Sequence, residues 1–108
     1  MAMVKRFDVY LLNLDPDVTA SPKNTRPCVI VSPDEMNASL NWAIVAPLSS
    51  GETDYPTRIV VDFLNGRRVV VLDQIRTVDA GRLVKKIGEI EAASRQLVSD
   101  RLIEMFTL

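Results

Sequence analysis

The chain has 108 residues, of which 47% are apolar and 25% are charged, as in a globular protein of one domain's length. Its formal net charge of −1 is no sign of a nucleic-acid-binding protein, so any basic patch has to be local. The absence of histidine excludes serine–histidine triads, zinc–histidine sites and histidine-pair ribonuclease chemistry. We expect residues 1–108 to form a single domain.

The single cysteine and the N-terminus both bear on the cellular compartment. Cys28 lies inside an apolar run and is interpreted as a buried core residue and not as a nucleophile. A lone cysteine cannot form an internal disulfide, which fits a reducing compartment. The N-terminus carries no long apolar run, so neither a signal peptide nor a membrane span is predicted. A cytoplasmic location is therefore expected.

The first elements are strands separated by a polar loop. Phe7–Leu14 is predicted as a strand that ends at Asp15-Pro16, and residues 17–25 are predicted as a loop. Pro27–Val31 is a continuous β-branched run, typical of a strand buried on both faces. A short helix should follow, with Ser32 as its cap and Glu35 completing a capping box, and it should end near Ala38.

The next elements are again strands. Trp42–Leu48 is predicted as a strand, residues 49–56 as a second polar loop and Thr57–Phe63 as a further strand. Asn65-Gly66 is a strong hairpin signal that joins this strand to Arg67–Leu72.

The last third of the chain changes its hydrophobic period. Asp73–Thr77 should continue extended or bend, residues 78–82 should form a turn, and Leu83–Ile87 is a candidate short strand. From Glu91 onward the pattern predicts an amphipathic C-terminal helix. Many short strands with one terminal helix indicate a small, strongly bent sheet or a partly open barrel. The helix's apolar positions are Ala93, Leu97, Val98, Leu102, Met105 and Phe106.

Polar residues at strand ends are the candidates for chemistry, because rigid scaffolds usually present functional groups there. Each also has a structural interpretation: Arg26 as a surface cation paired with a carboxylate, Ser49-Ser50 as turn residues, and Asp73 with Arg76 as an ion pair. No cluster with metal-ligand spacing is visible. The candidates are Arg26, Ser49, Ser50, Asp73, Gln74 and Arg76.

Five segments in this order resemble the MazF/PemK family, the toxins of bacterial toxin–antitoxin pairs. A single motif of this kind would be weak evidence, whereas several in the right order and at the right spacing are specific. The resemblance covers nearly the whole chain, from Phe7 to Phe106. The segments are L-L-N-L-D-P at 11–16, T-R-P-C-V-I-V-S-P at 25–33, V-A-P-L-S-S at 45–50, Y-P-T at 55–57 and L-D-Q-I-R-T-V-D at 72–79.

The resemblance implies a mainly β fold: a small SH3-like β-barrel of the CcdB/PemK type, with a short internal helix and a C-terminal helix. It implies a sequence-specific endoribonuclease that needs no metal or other cofactor. Such an enzyme cleaves single-stranded messenger RNA, leaves 2′,3′-cyclic phosphate and 5′-hydroxyl ends, and stops growth. The expected partners are RNA, a second copy in a homodimer, and an antitoxin with an extended acidic tail, with no membrane involved.

The family's functional residues map onto several of the candidates. By resemblance, Arg26 stabilises the phosphorane, Ser49 hydrogen-bonds the scissile phosphate, and Asp73 acts as a base or orients Arg26. A guanidinium suits this charge role because it is planar and permanently cationic. Residues expected to contact RNA or support its channel are Thr25, Ser50, Gln74 and Arg76.

Three departures from the family pattern keep alternatives open. Ser49 stands where most relatives have threonine, and Thr19-Ala20-Ser21 lacks the first-loop carboxylate of many relatives. Ala20 and Val71 replace a histidine and an arginine that the PemK branch uses in catalysis. The departures at Ser49 and in the first loop motivate one alternative, a degenerate member that only binds RNA or an antitoxin. A second alternative on the same scaffold is a non-catalytic CcdB-like toxin that binds gyrase.

Overall fold

The fold is a curved, mainly antiparallel β structure closed by a C-terminal helix. The computed structural model describes residues 4–15, 17–51 and 55–108. Within these residues the strands are β1 (Asp8–Asn13), β2 (Thr25–Ile30), β3 (Trp42–Ser49), β4 (Arg58–Phe63), β5 (Gly66–Val71), β6 (Arg76–Asp79) and β7 (Leu83–Glu89). The helices are α1 (Asp34–Ser39) and α2 (Ala92–Met105), with 3₁₀ turns at Leu72–Gln74 and Ala80–Arg82.

Strand β3 is the strand that the two parts of the sheet share. The strands are ordered β4-β5-β3-β2-β1-β7, and β6 pairs with β3 outside this path. The first half of β3 pairs with β6, from Trp42 to Val45, whereas its last residues, Leu48 and Ser49, pair with β5. This change of partner bends the sheet, which confirms the predicted small, strongly bent β fold.

The buried apolar side chains form two clusters, one on each side of β2. Val29 belongs to the larger cluster with the buried residues of β4 and β5, and Cys28 and Ile30 belong to the smaller one. The prediction of a strand buried on both faces is therefore confirmed. Burial raises the pKa of the Cys28 thiol to about 12, so the thiol stays protonated, as a core residue should.

The start of α1 is where the predicted capping was wrong. Pro33 occupies the cap position, and no side chain caps the helix. The buried Ser32 hydroxyl instead donates to Asn37 Oδ1 at 2.5 Å and accepts from the Ile44 amide at 3.0 Å. The Ser32 hydroxyl therefore provides an acceptor for a part-buried strand amide.

The hairpin between β4 and β5 is confirmed, but its turn lies one residue earlier than the Asn-Gly pair suggests. Phe63 pairs with Gly66, which leaves Leu64 and Asn65 as the turn. Both adopt left-handed conformations, with φ of 50° and 58°, as a two-residue primed turn requires. Gly66 is thereby placed inside strand β5.

Helix α2 is confirmed, with a narrower apolar face than the sequence suggests. Val98 is fully buried, and Leu102 and Met105 pack against the larger apolar cluster. Leu97 is exposed. Phe106 is 72% exposed and lies beyond the end of the helix, so the prediction that Phe106 belongs to the packed face was wrong. Among the described residues, no helix is both long and apolar enough to cross a membrane.

Candidate active site

Three strand ends meet in one cleft, which we call the central cleft. Cys28 pairs with Pro47 in the last pair of the β2–β3 ladder, and Arg26 and Ser49 each lie two residues beyond that pair. Ser49 pairs with Val69 in the last pair of β3 with β5, and Ser50 and Arg68 are the residues next to that pair. The cleft has a volume of about 480 Å³ and is lined by Arg26, Pro27, Pro47, Leu48, Ser49, Ser50 and Arg68. The predicted residues Arg26, Ser49 and Ser50 are thus brought together.

The Arg26 side chain is exposed and is held by the backbone that precedes it. Its Nη1 donates to the carbonyl of Lys23 at 3.2 Å and to that of Thr25 at 2.7 Å. None of the described carboxylates pairs with it, so the interpretation as a surface ion pair finds no support. The Nε and Nη2 groups have no partner among the described residues and are available for an anion.

The Ser49 hydroxyl is oriented by the turn that follows β3. Its Oγ accepts a hydrogen bond from the Gly51 amide at 3.0 Å, and the residue is half-buried. Because a hydroxyl can accept and donate at once, this contact leaves the Ser49 proton available for a second acceptor. An arginine and a hydroxyl donor on neighbouring strands form a suitable site for a phosphate oxygen.

Two smaller cavities adjoin the central cleft and share Pro47 with it. One, of about 260 Å³, is lined by Ser49, Gly51, Arg58, Val71 and Gln74 in addition to Pro47. The other, of about 160 Å³, includes Arg26 and Arg76. The predicted residues Gln74 and Arg76 therefore flank the cleft instead of lining it. The three cavities together carry four arginines, Arg26, Arg58, Arg68 and Arg76, which form the local basic surface of a chain with a net charge of −1.

The Asp73 carboxylate forms its ion pair with a different residue than the sequence suggests. Its carboxylate accepts from Thr57 Oγ1 at 3.0 Å and pairs with Arg58, whose Nε and Nη2 each lie 3.4 Å from a carboxylate oxygen. The hydrogen bond from Arg58 is the main cause of its lowered pKa, with Thr57 adding to the effect. The interpretation of Asp73 and Arg76 as an ion pair was therefore wrong, because Arg58 is the partner of the carboxylate among the described residues. The role of Asp73 as a base or in orienting Arg26 remains a prediction.

Thr25 lies beside the cleft, in a separate groove. Its hydroxyl donates to the Ser21 carbonyl at 3.0 Å, which fixes the end of the first loop. The groove is mostly apolar, has a volume of about 460 Å³ and is lined by Leu11, Ala20, Ser21, Pro22, Thr25, Val84 and Lys85. A direct role of Thr25 in RNA binding remains a prediction that its position does not favour.

Sequence reasoning missed two arginines that the fold brings to this region. Arg58 follows the Y-P-T motif, and its guanidinium lies 4.9 Å from the ring centre of Tyr55, over the ring face. Arg68 lies near the start of the strand that follows the hairpin turn, and the pairing of β3 with β5 brings it to the cleft. Both arginines stand near the start of a predicted strand, which was the available signal, but the sequence does not show that these strand ends lie at the cleft.

Comparison with known proteins agrees with this fold. The family described as the PemK-like, MazF-like toxin of type II toxin–antitoxin systems matches residues 5–106. Endoribonuclease EndoA of Bacillus subtilis (strain 168) is 31% identical over 106 residues, which cover 93% of this chain and 91% of that protein. The chain therefore belongs to the PemK-like, MazF-like toxin family.

Solved structures share the fold at lower identity. A crystal structure of MazE-MazF (Form-II) from Deinococcus radiodurans superposes with a TM-score of 0.80 at 20% identity, covering 100% of this chain and 99% of that one. An endoribonuclease in complex with its cognate antitoxin from mycobacterial species has a TM-score of 0.78 at 20% identity, covering 94% and 92%. These structures confirm the predicted fold class.

Proposed function

We propose that this chain, an endoribonuclease toxin of a type II toxin–antitoxin pair, cleaves single-stranded messenger RNA in the central cleft. The observation that carries the proposal is that Arg26 and Ser49, at the ends of the paired strands β2 and β3, line one cavity, and that each keeps donor groups that no described residue uses. The family assignment and the relationship to EndoA support the reaction class.

The reaction needs no covalent group from the protein, because the RNA supplies its own nucleophile. The ribose 2′-oxygen attacks the adjacent phosphorus, and the bond from phosphorus to the 5′-oxygen breaks, which leaves a 2′,3′-cyclic phosphate and a 5′-hydroxyl. The 2′-hydroxyl gives up its proton, and the leaving 5′-oxygen gains one. Arg26 stabilises the additional negative charge of the phosphorane, and the Ser49 hydroxyl donates to a phosphate oxygen.

Asp73 has a supporting role in this proposal. A carboxylate with a lowered pKa, already accepting from Thr57 and Arg58, is a weak general base. It instead fixes the Arg58 guanidinium next to Ser49, in the cavity that also contains Gln74. Asp73 is thus a positioning residue, and Arg58, Gln74 and Arg76 extend the cationic surface along which RNA lies.

The same surface suits the expected protein partner. A chain with four arginines around one cleft attracts an extended acidic segment, such as the tail of an antitoxin, and such a segment would cover the RNA site. The related mycobacterial endoribonuclease was solved with its cognate antitoxin. We also propose a homodimer and a cytoplasmic location, the latter because messenger RNA and a reduced cysteine are both found there.

The test is incubation of the purified protein with a long single-stranded RNA in excess chelator, followed by mapping of the fragment ends. Discrete cuts with 5′-hydroxyl ends are expected from the wild type. Arg26→Ala should lower the rate of this cleavage by at least about 100-fold, because removing one electrostatic donor to the transition state lowers the rate by roughly 10²–10³. Arg26→Lys keeps the charge without the planar fork and should recover only part of the activity.

The controls separate this proposal from the alternatives. Thermal unfolding of each variant should match that of the wild type, because Arg26 is exposed. Cleavage retained in a folded Arg26→Ala variant would contradict the assignment of the site. Wild-type protein that binds RNA without cutting it would support the degenerate member, and gyrase inhibition without RNA binding would support the CcdB-like alternative.

A further inference from the structure

The central cleft contains a second arginine and serine pair, beside the pair assigned to the reaction. Arg68 and Ser50 are the residues next to the last pair of β3 with β5, Ser49 with Val69, and they line the same cavity as Arg26 and Ser49. Neighbouring strands are about 4.8 Å apart, so the backbones that carry the two arginines are separated by roughly 10 Å. This separation is larger than a single phosphate needs in order to contact both arginines.

The Arg68 guanidinium is held in place, and Gly66 provides the space for it. Its Nη1 donates to the Arg67 carbonyl at 3.0 Å, and the residue is half-buried. A Cβ atom added at Gly66 would lie 2.5 Å from Arg68 Nη1 and 3.2 Å from Arg68 Cζ. Gly66 is not in the left-handed region, so the space for the guanidinium is the visible requirement for glycine at this position.

The chemistry of the lining favours a phosphate over a base as the ligand of Arg68. The cleft offers two guanidiniums and two hydroxyls, and none of the described residues that line it is aromatic or acidic. Sequence-tolerant base binding normally uses an aromatic platform, whereas arginine and serine donors are typical ligands of phosphate oxygens.

We infer that Arg68, with Ser50, forms a second phosphate subsite, which binds the backbone phosphate next to the scissile phosphate held by Arg26 and Ser49. The inference rests on the proposed function, since it takes the neighbouring subsite as the place of cleavage. Two occupied subsites fix the direction of the RNA strand through the cleft and align the attacking 2′-oxygen. Phosphate contacts of this kind position the strand and carry no sequence information.

The first experiment measures binding without cleavage. The probe is a fluorescent single-stranded 2′-deoxy oligonucleotide of mixed sequence, about 12 nucleotides long, which lacks the attacking hydroxyl. Affinity is measured by anisotropy across a range of salt concentrations for the wild type, Arg68→Gln, Gly66→Ala and Arg67→Gln. Arg67→Gln is the matched control, because it removes the same charge one residue away, where the alternation of the strand directs the side chain to the other face.

We expect Arg68→Gln to weaken binding at least tenfold, as the loss of a hydrogen bond to a charged group does, and to flatten the slope of log affinity against log salt by about 0.7. Gly66→Ala keeps every charge but displaces the guanidinium, so it should also weaken binding, by a smaller factor. Arg67→Gln should stay within about twofold of the wild type. Equal effects of Arg67→Gln and Arg68→Gln, or wild-type binding by Arg68→Gln, would overturn the inference.

The second experiment maps cleavage sites on a long RNA for the same variants. A phosphate subsite predicts that Arg68→Gln slows every site by a similar factor and leaves the cleaved sequence unchanged. A changed cleavage sequence would assign Arg68 to base recognition and overturn the inference. If the wild type binds the probe but cuts no RNA, the proposed function fails, while the salt slope of Arg68→Gln still decides whether the subsite exists. Thermal unfolding confirms that each variant is folded.

Discussion

Ser49 provides a quantitative test of whether the central cleft binds the scissile phosphate through a hydroxyl group. Its Oγ accepts from the Gly51 amide, so the hydroxyl proton is directed to another acceptor, which we assign to the scissile phosphate. Ser49→Ala removes one hydrogen bond to a charged group, worth about 1.5–3 kcal/mol. At about 1.4 kcal/mol for each factor of ten, kcat/KM should fall by roughly 10- to 150-fold.

Ser49→Thr is the conservative variant for this test. It retains the hydroxyl and adds a methyl group that restricts the side-chain rotamer, so activity should match or exceed that of the wild type. The assay is the initial rate on a short fluorogenic RNA that contains a mapped site, with thermal unfolding measured in parallel. The Gly51 amide is at an exposed turn where water replaces its partner, so Ser49→Ala should lower stability by less than about 1 kcal/mol.

Two results would refute this account of Ser49. The first is a folded Ser49→Ala variant whose kcat/KM stays within about twofold of the wild type, because the hydroxyl would then not contact the transition state. The second is a Ser49→Thr variant as inactive as Ser49→Ala, which would show that the shape of the site, and not the hydroxyl, determines the rate.

Two further predictions concern the core. Ser32→Ala should destabilise the protein by about 2–4 kcal/mol in urea unfolding, because it leaves the part-buried Ile44 amide and the Oδ1 of the buried Asn37 without this partner. A loss near 1 kcal/mol, as for a helix cap, would contradict that geometry, and Ser39→Ala is the exposed control. Cys28 has a folded-state pKa raised from 9.0 to about 12, so its contribution to stability is complete below the unfolded value and is lost as the pH rises above it. Between about pH 8 and about pH 10, the free energy of unfolding of the wild type should fall by about 1.4 kcal/mol more than that of Cys28→Ala. If the free energies of unfolding of the two proteins change in parallel with pH, the thiol is not buried in solution.

The parts of the fold that follow from local patterns were predictable. The β-branched run around Val29, the hairpin near Asn65 and the terminal helix around Val98 are each specified by neighbouring residues. The details that depend on distant residues were not. Ser32 matches a capping motif, yet a strand amide twelve residues away donates to its hydroxyl, because leaving that part-buried amide without a partner costs more than leaving an exposed helix end uncapped. Phe106 continues the helical spacing, but the helix ends before it.

The candidate site also has parts that were predictable from the sequence and parts that were not. Arg26 and Ser49 belong to motifs of the family, and their proximity follows from the pairing of two consecutive strands, β2 and β3. Arg68 reaches the cleft through the pairing of β3 with β5, across β4 and the second loop, which sequence spacing does not reveal. The partner of Asp73 was also hidden, because Arg58 approaches it from another strand, whereas Arg76 is closer in sequence.

Because two parts of the sheet share β3, the geometry of the central cleft depends on the cooperative folding of the whole sheet. The distances between the strands that carry Arg26, Ser49 and Arg68 are set by backbone hydrogen-bond ladders on both sides of β3, and not by contacts between the three side chains. A ladder of this kind opens only when the surrounding strands separate, so the alignment of the cleft is lost in the same transition as the core. The cleft is therefore aligned as soon as the chain folds, and we expect control of the proposed activity to come from a partner that covers the cleft.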